Sequence, residues 1–123
     1  MSIVAASEIV ITTRVRDDVL IAYLCGDVDQ ISAPVVAAFV RERINAHEDF
    51  VLDLRGIGFL GAAGLAVLLR MATASAEQGV AWAVVARGPV VNRAIARTGL
   101  SSVLPTHPTL RLALSALMDP GHS

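Results

Sequence analysis

Lysine is absent from this chain, and cysteine, tyrosine and tryptophan occur once each. All ten basic residues are arginines, scattered from Arg14 to Arg111 without a block, and the formal net charge is −1. No basic run is there to neutralise phosphates, which argues against nucleic acid or an anionic membrane as a partner. Aromatics make up 4% of the residues, too few to form a stacking platform for bases. A lone Cys25 excludes an internal disulfide and a cysteine-based zinc site, and is expected to be a small buried apolar side chain. No uninterrupted apolar run approaches the roughly 18 residues of a membrane span. The cleanest candidates, Val80 to Ala86 and Leu65 to Leu69, have the length of core elements. Residues 1–10 lack a basic start and carry Glu8, so no signal peptide is expected and the cytoplasm is the default compartment.

What the chain does have is apolar content: 54% hydrophobic residues against 17% charged, with a mean hydropathy of +0.63. Such a composition folds around a core and is not a disordered chain. A length of 123 residues suits one domain, expected over residues 1–119 with a flexible tail at 120–123.

Patterning gives the elements. Ile9 to Val15 is β-branched and partly alternating, Arg16-Asp17-Asp18 is a charged turn, and Val19 to Leu24 is a second strand, which together make a hairpin. Ile31 or Ser32 precedes Ala33-Pro34, and proline fits the first turn of a helix. Pro34 to Ala46 then shows a helical period, with Val35, Ala38, Phe39 and Ile44 inward and Arg41, Glu42 and Arg43 outward. Phe50 to Leu54 is a buried strand, and Ala62 to Gln78 a helix with Gly79 as its C-cap. In that helix Leu65, Leu68, Leu69 and Ala72 share an inward face, while Ala62, Ala66, Arg70 and Thr73 point away. Val80 to Ala86 reads as a central strand, Pro89 to Thr98 as a short helix ending at Gly99, and Val103-Leu104 as a brief extended piece. A last helix spans Thr109 to Met118. The order β-β-α-β-α-β-α-(β)-α predicts an α/β fold with a mixed sheet of four to five strands covered by helices.

Little catalytic chemistry is visible. His47, His107 and His122 share no metal-ligand spacing, and no G-x-S-x-G elbow occurs, so no catalytic residue, metal site or cofactor is expected. Gly56-Ile57-Gly58-Phe59-Leu60-Gly61 is a literal G-x-G-x-x-G between a strand and a helix. As a dinucleotide fingerprint it fails in context. It follows the third expected strand and not the first, and the end of the next strand reads Ala86-Arg87 where an acid should hold the ribose. Asp27 and Asp29 suit solvation and capping of the following helix. Asp29 and Gln30 also suit a partner surface beside the Gly61 turn, since both loops leave strand ends on one edge of a parallel pair.

Three segments carry a family resemblance. Leu24-Cys25-Gly26-Asp27-Val28-Asp29-Gln30-Ile31-Ser32-Ala33 resembles the turn that leaves the second strand of STAS domains. Asp53-Leu54-Arg55-Gly56-Ile57-Gly58-Phe59-Leu60-Gly61-Ala62-Ala63-Gly64-Leu65 is similar to that family's Asp-Leu-Ser/Thr-x-Val-x-Phe-Met/Ile-Asp-Ser-Ser/Thr-Gly-Leu. Gly88 to Leu100 is similar to its last strand-to-helix passage. The resemblance implies a stand-alone anti-sigma factor antagonist, a monomer or weak dimer. Its partner would be an anti-sigma factor, usually a histidine-kinase-like ATPase, and binding it would release a sigma factor. It also implies a switch in which the kinase phosphorylates the first serine of the motif. That serine falls on Ala62, its neighbour on Ala63 and the preceding acid on Gly61. Partner contacts are expected at Asp29, Gln30, Ser32, Leu60, Gly61, Ala62, Ala63 and Ala66.

The replacement has a plain physical meaning. Phosphoserine carries about −1.5 to −2 charges, whereas alanine has no hydroxyl to modify. Gly61 remains a tolerable N-cap, only about a few tenths of a kcal/mol worse than the polar ones. Control would then come from expression level, from a phosphosite elsewhere (Ser32 is nearest), or from a small ligand. Two other roles fit the same residues: a STAS subunit docking on the ATPase of a lipid-type ABC transporter, and a nucleotide or small-ligand sensor using the N–H groups between Gly58 and Gly64.

Overall fold

The computed structural model describes residues 3–6 and 9–118, so the expected tail at 120–123 lies outside the described residues. Strands β2 (Ile9–Arg16) and β3 (Val19–Val28) form the expected antiparallel hairpin, closed by the pair Arg16 and Val19. Asp17 and Asp18 both take positive φ, 52° and 65°. This is the two-residue turn whose twist matches the flanking strands, and aspartate tolerates it. An additional strand, β1 (Ile3–Ala6), pairs antiparallel with β2 on its outer edge.

The chain then alternates: α1 (Ala33–Asn45), β4 (Phe50–Leu60), α2 (Ala62–Gln78), β5 (Trp82–Val85), α3 (Pro89–Arg97), β6 (Thr106–His107) and α4 (Leu110–Met118). The six strands lie in sequence order, with β3 to β6 parallel. The expected mixed α/β order is therefore present, with β1 added. The last short strand falls at Thr106–His107, because Val103 and Leu104 are held in a turn by hydrogen bonds to the Leu100 carbonyl.

Strands β3, β4 and β5 are covered on both faces, which is why they read as continuous apolar runs. Leu20, Ala22, Leu24, Leu52, Leu54 and Val84 face the helices α1, α2 and α3. Val19, Ile21, Val51, Ala83 and Val85 face α4, which contributes Ala113 and Leu114. The helix faces are rotated from expectation. In α1 the buried set is Val36, Ala37, Phe39, Val40 and Ile44, leaving Val35 half-buried and Ala38 exposed. In α2 it is Gly64, Leu65, Val67, Leu68, Met71 and Ser75, and Leu69 is exposed. The two helices pack on each other as well as on the sheet, so each buries a wider arc, turned toward its neighbour. Gly79 caps α2 at φ 68°, with the Val80 N–H donating to the Ser75 carbonyl at 2.9 Å.

Strand β4 departs most from the sequence reading. It does not stop at Leu54 but runs to Leu60 through two bulges. Between the pairs Tyr23–Asp53 and Cys25–Gly56, and again between Gly26–Ile57 and Asp27–Phe59, β4 carries one residue more than β3. Each extra residue resets the alternation, so Leu54, Ile57 and Leu60, three apart, all reach the same core. The glycines follow from this geometry. A Cβ on Gly56 would lie 2.8 Å from the Leu24 carbonyl oxygen, and one on Gly58 would lie 3.1 Å from an Asp27 carboxylate oxygen. Hence the G-x-G-x-x-G segment is a bulged strand and not a phosphate-binding loop.

A second close approach anchors α2. A Cβ on Gly64 would sit 2.7 Å from both Leu60 Cδ1 and Val28 Cγ1, inside the core. Gly64→Val is expected to lower unfolding free energy by about 1–3 kcal/mol through overpacking, seen as a lower Tm in thermal denaturation. An unchanged Tm would mean that α2 can move off β3 and β4 freely.

Candidate functional site

Parallel pairing brings two crossover loops to one edge of the sheet. Val28 pairs with Leu60, the last residues of β3 and β4, and the Gly61 N–H donates to the Val28 carbonyl at 3.0 Å. The loop before α1 and the start of α2 thus leave the sheet side by side, at the carboxyl ends of the strands where α/β folds place their binding surfaces. Asp29, Gln30, Ile31, Phe59, Gly61 and Ala63 line one shallow hollow there.

The loop is held by its own polar side chains. Asp29 Oδ1 accepts hydrogen bonds from the N–H groups of Ile31 and Ser32, both at 2.9 Å. The Ser32 hydroxyl donates to the Asp27 carbonyl at 2.7 Å and accepts from the Asp29 N–H at 3.0 Å. Ser32 is 0% exposed, so the residue expected at the partner surface lies beneath it and fixes the loop's shape. Ser32, the positional N-cap, makes no side-chain cap bond to α1, and Asp29 instead ties down the N–H groups just before the helix. With that turn tied down, Ile31 is 73% exposed.

On the β4 side, Gly61 caps α2 in an extended conformation without a side-chain bond, and its carbonyl accepts from Leu65 at 3.1 Å. The first-turn N–H groups of Ala62, Ala63 and Gly64 have no acceptor within the helix, and no acidic residue occupies that turn. Ala62 is exposed, Gly61, Ala63 and Ala66 are half-buried, and Leu60 is buried. Ala63, Ala66 and Gln30 also line a groove between α1 and α2. Two surface residues escaped the sequence reading, Ile31 and Phe59, the latter 51% exposed. Phe59 was legible only through the second bulge, which turns it out between buried Ile57 and Leu60.

Asp53 and Arg55 serve the strand and not this site. Asp53, 3% exposed, accepts from Arg55 Nε at 3.0 Å and Nη2 at 2.6 Å, and from the Arg55 N–H at 3.1 Å. These bonds stabilise the charged guanidinium and raise its pKa, and they clamp the first bulge. The pair lies beside Tyr23 and Cys25 on the face that α4 covers elsewhere. Cys25 is exposed there, contrary to expectation, because β3 continues past the end of that core. Among the described residues no three His, Cys, Asp or Glu side chains gather as metal ligands, and no helix is long and apolar enough to cross a membrane.

The family model described as the STAS domain matches residues 10–113. The chain belongs to the STAS domain family. It is 32% identical over 108 residues to the anti-sigma-F factor antagonist RsfA of Mycobacterium tuberculosis, covering 85% of this chain and 84% of the relative. With the anti-sigma-F factor antagonist RsfB of the same organism it shares 31% identity over 117 residues, covering 92% and 93% of the two chains. The crystal structure of an anti-sigma factor antagonist from Mycobacterium paratuberculosis matches with a TM-score of 0.80 at 32% identity, covering 90% of this chain and 95% of that one. The STAS resemblance read from the three segments is thereby borne out.

Ser32→Ala leaves the Asp27 carbonyl and the Asp29 N–H without their buried partner. Stability should fall by about 1–3 kcal/mol in denaturant unfolding. A loss near zero would show that water replaces the hydroxyl and that the loop does not depend on it.

Proposed function

We propose that this STAS domain is an anti-sigma factor antagonist that binds an anti-sigma factor and thereby releases a sigma factor, without the usual serine phosphorylation. The observation that carries this reading is the bare apolar edge at the start of α2, where Ile31 and Phe59 stand exposed beside Gly61 and Ala62. Neighbouring exposed apolar side chains gathered in one patch mark an interaction site. The relatives matched over most of the chain are named anti-sigma factor antagonists, which supports the choice of partner.

Docking would bury Ile31, Phe59, Ala62 and Ala66, gaining roughly 25 cal/mol per Å² of apolar surface before the costs of association. Small residues let a partner's backbone approach closely. The start of α2 offers N–H donors to it, and Asp29 and Gln30 add a polar rim. Ser32 offers no substitute phosphosite, being fully buried with its hydroxyl engaged on both sides. Control would then come from protein level, from a bound ligand or from a phosphosite other than Ser32.

Affinity capture with the tagged chain, from cells that encode it, should recover an anti-sigma factor identified by mass spectrometry. Ala62→Glu should weaken that complex at least about tenfold, because a carboxylate would be desolvated at the contact. Since Ala62 is exposed, the fold should survive. The wild-type chain, incubated with the partner and ATP, should keep its mass. Capture of no anti-sigma factor, or binding indifferent to Ala62→Glu, would contradict the reading.

A further inference from the structure

Three hollows at this edge join into one track. The α1–α2 groove shares Gln30 and Ala63 with the hollow over Gly61. That hollow shares Phe59 with a third, which lies between the end of β4 and α3. The middle of the track is apolar, with Ile31 and Phe59 exposed. Both ends are basic. Arg41 and Arg70 line the α1–α2 groove, and Arg93 and Arg97 line the hollow on α3.

Among the described residues none of these four arginines takes part in an ion pair. Glu42, next to Arg41 in sequence, pairs instead with Arg43 at 3.3 Å. The carboxylate nearest the centre, Asp29, points into its own loop through Oδ1. A chain of net charge −1 thus shows a locally positive edge, with an apolar strip between two guanidinium pairs.

Resting on the docking role proposed above, we infer that the partner enters this track with an amphipathic segment, apolar at its centre and acidic at both flanks. The shape favours a polypeptide. The hollows are shallow and open to solvent, whereas small molecules are held in enclosed pockets. Charge complementarity sets the sign, since guanidinium pairs match carboxylates in geometry and steer them at a distance. The arginine pairs then act chiefly on association rate and on choice of partner, and the apolar centre on dwell time.

Two double reversals test this, Arg41→Glu with Arg70→Glu and Arg93→Glu with Arg97→Glu. The control is Arg14→Glu with Arg16→Glu, which carries the same charge change at the hairpin, on the opposite edge. Circular dichroism and Tm check folding of each, and the corresponding alanine pairs replace any reversal that fails to fold. Binding to the anti-sigma factor captured by the wild-type chain is followed by surface plasmon resonance between low and high salt. Each track reversal should lower the association rate at least about tenfold at low salt, with the gap closing as salt screens it, while the hairpin control stays within about twofold of wild type. Equal loss in the control, or no loss in either track pair, overturns the inference and leaves the antagonist reading standing. If the captured protein is no anti-sigma factor yet loses binding with the track reversals alone, the antagonist reading fails and the acidic docking survives. A wild-type chain that captures nothing overturns both.

Discussion

Everything at the proposed docking edge hangs on how the end of β4 is laid against the end of β3. Two bulges lengthen β4 relative to its partner; the first brings the backbone of β3 against Gly56, and at the second the Asp27 carboxylate crowds Gly58, so neither has much room for a side chain. The bidentate contact between buried Asp53 and Arg55 holds the first bulge. The hydrogen bond from Gly61 to the Val28 carbonyl closes the end of the pair. Because of this register, Ile57 and Leu60 turn inward, Phe59 turns outward, and α2 begins beside the Asp29 loop. Shortening β4 by either extra residue would reverse which side chains stand exposed at this edge.

That arrangement yields a surface built by subtraction. Where the resemblance would put an acid and two hydroxyl residues, this chain has Gly61, Ala62 and Ala63. The shape of the edge comes from the strands and from the Asp29–Ser32 hydrogen bonds beneath it. The first residues of α2 themselves carry no titratable or phosphorylatable side chain. Charge sits instead at the periphery, in the four arginines that line the neighbouring hollows.

Much of this was legible in the residues. Asp17-Asp18 between two β-branched runs, Pro34 at a helix start, and Gly79 after the last periodic residue of α2 each name their element by chemistry. The mixed α/β fold followed from the alternation of strands and helices. Three features were not legible. Bulges leave no composition signal, so context could set the G-x-G-x-x-G aside as a dinucleotide fingerprint but could not say why its glycines are there, and Phe59 went unrecognised as a surface residue. Helix faces were turned because α1 and α2 pack on each other, which a single helix's periodicity does not report. Ser32 and Cys25 were misplaced for a common reason: burial at a strand end depends on the loop or helix that lies over it, and that is a tertiary fact.

Amide hydrogen exchange of the chain, alone and bound to its anti-sigma factor, tests most directly whether this edge does the docking. If it does, exchange slows on binding in residues 29–33, in 59–66 and in the first turn of α3, while β2 and α4 keep their free rates. Protection confined to α4 or to the β1–β2 side of the sheet, with the start of α2 unchanged, would contradict it.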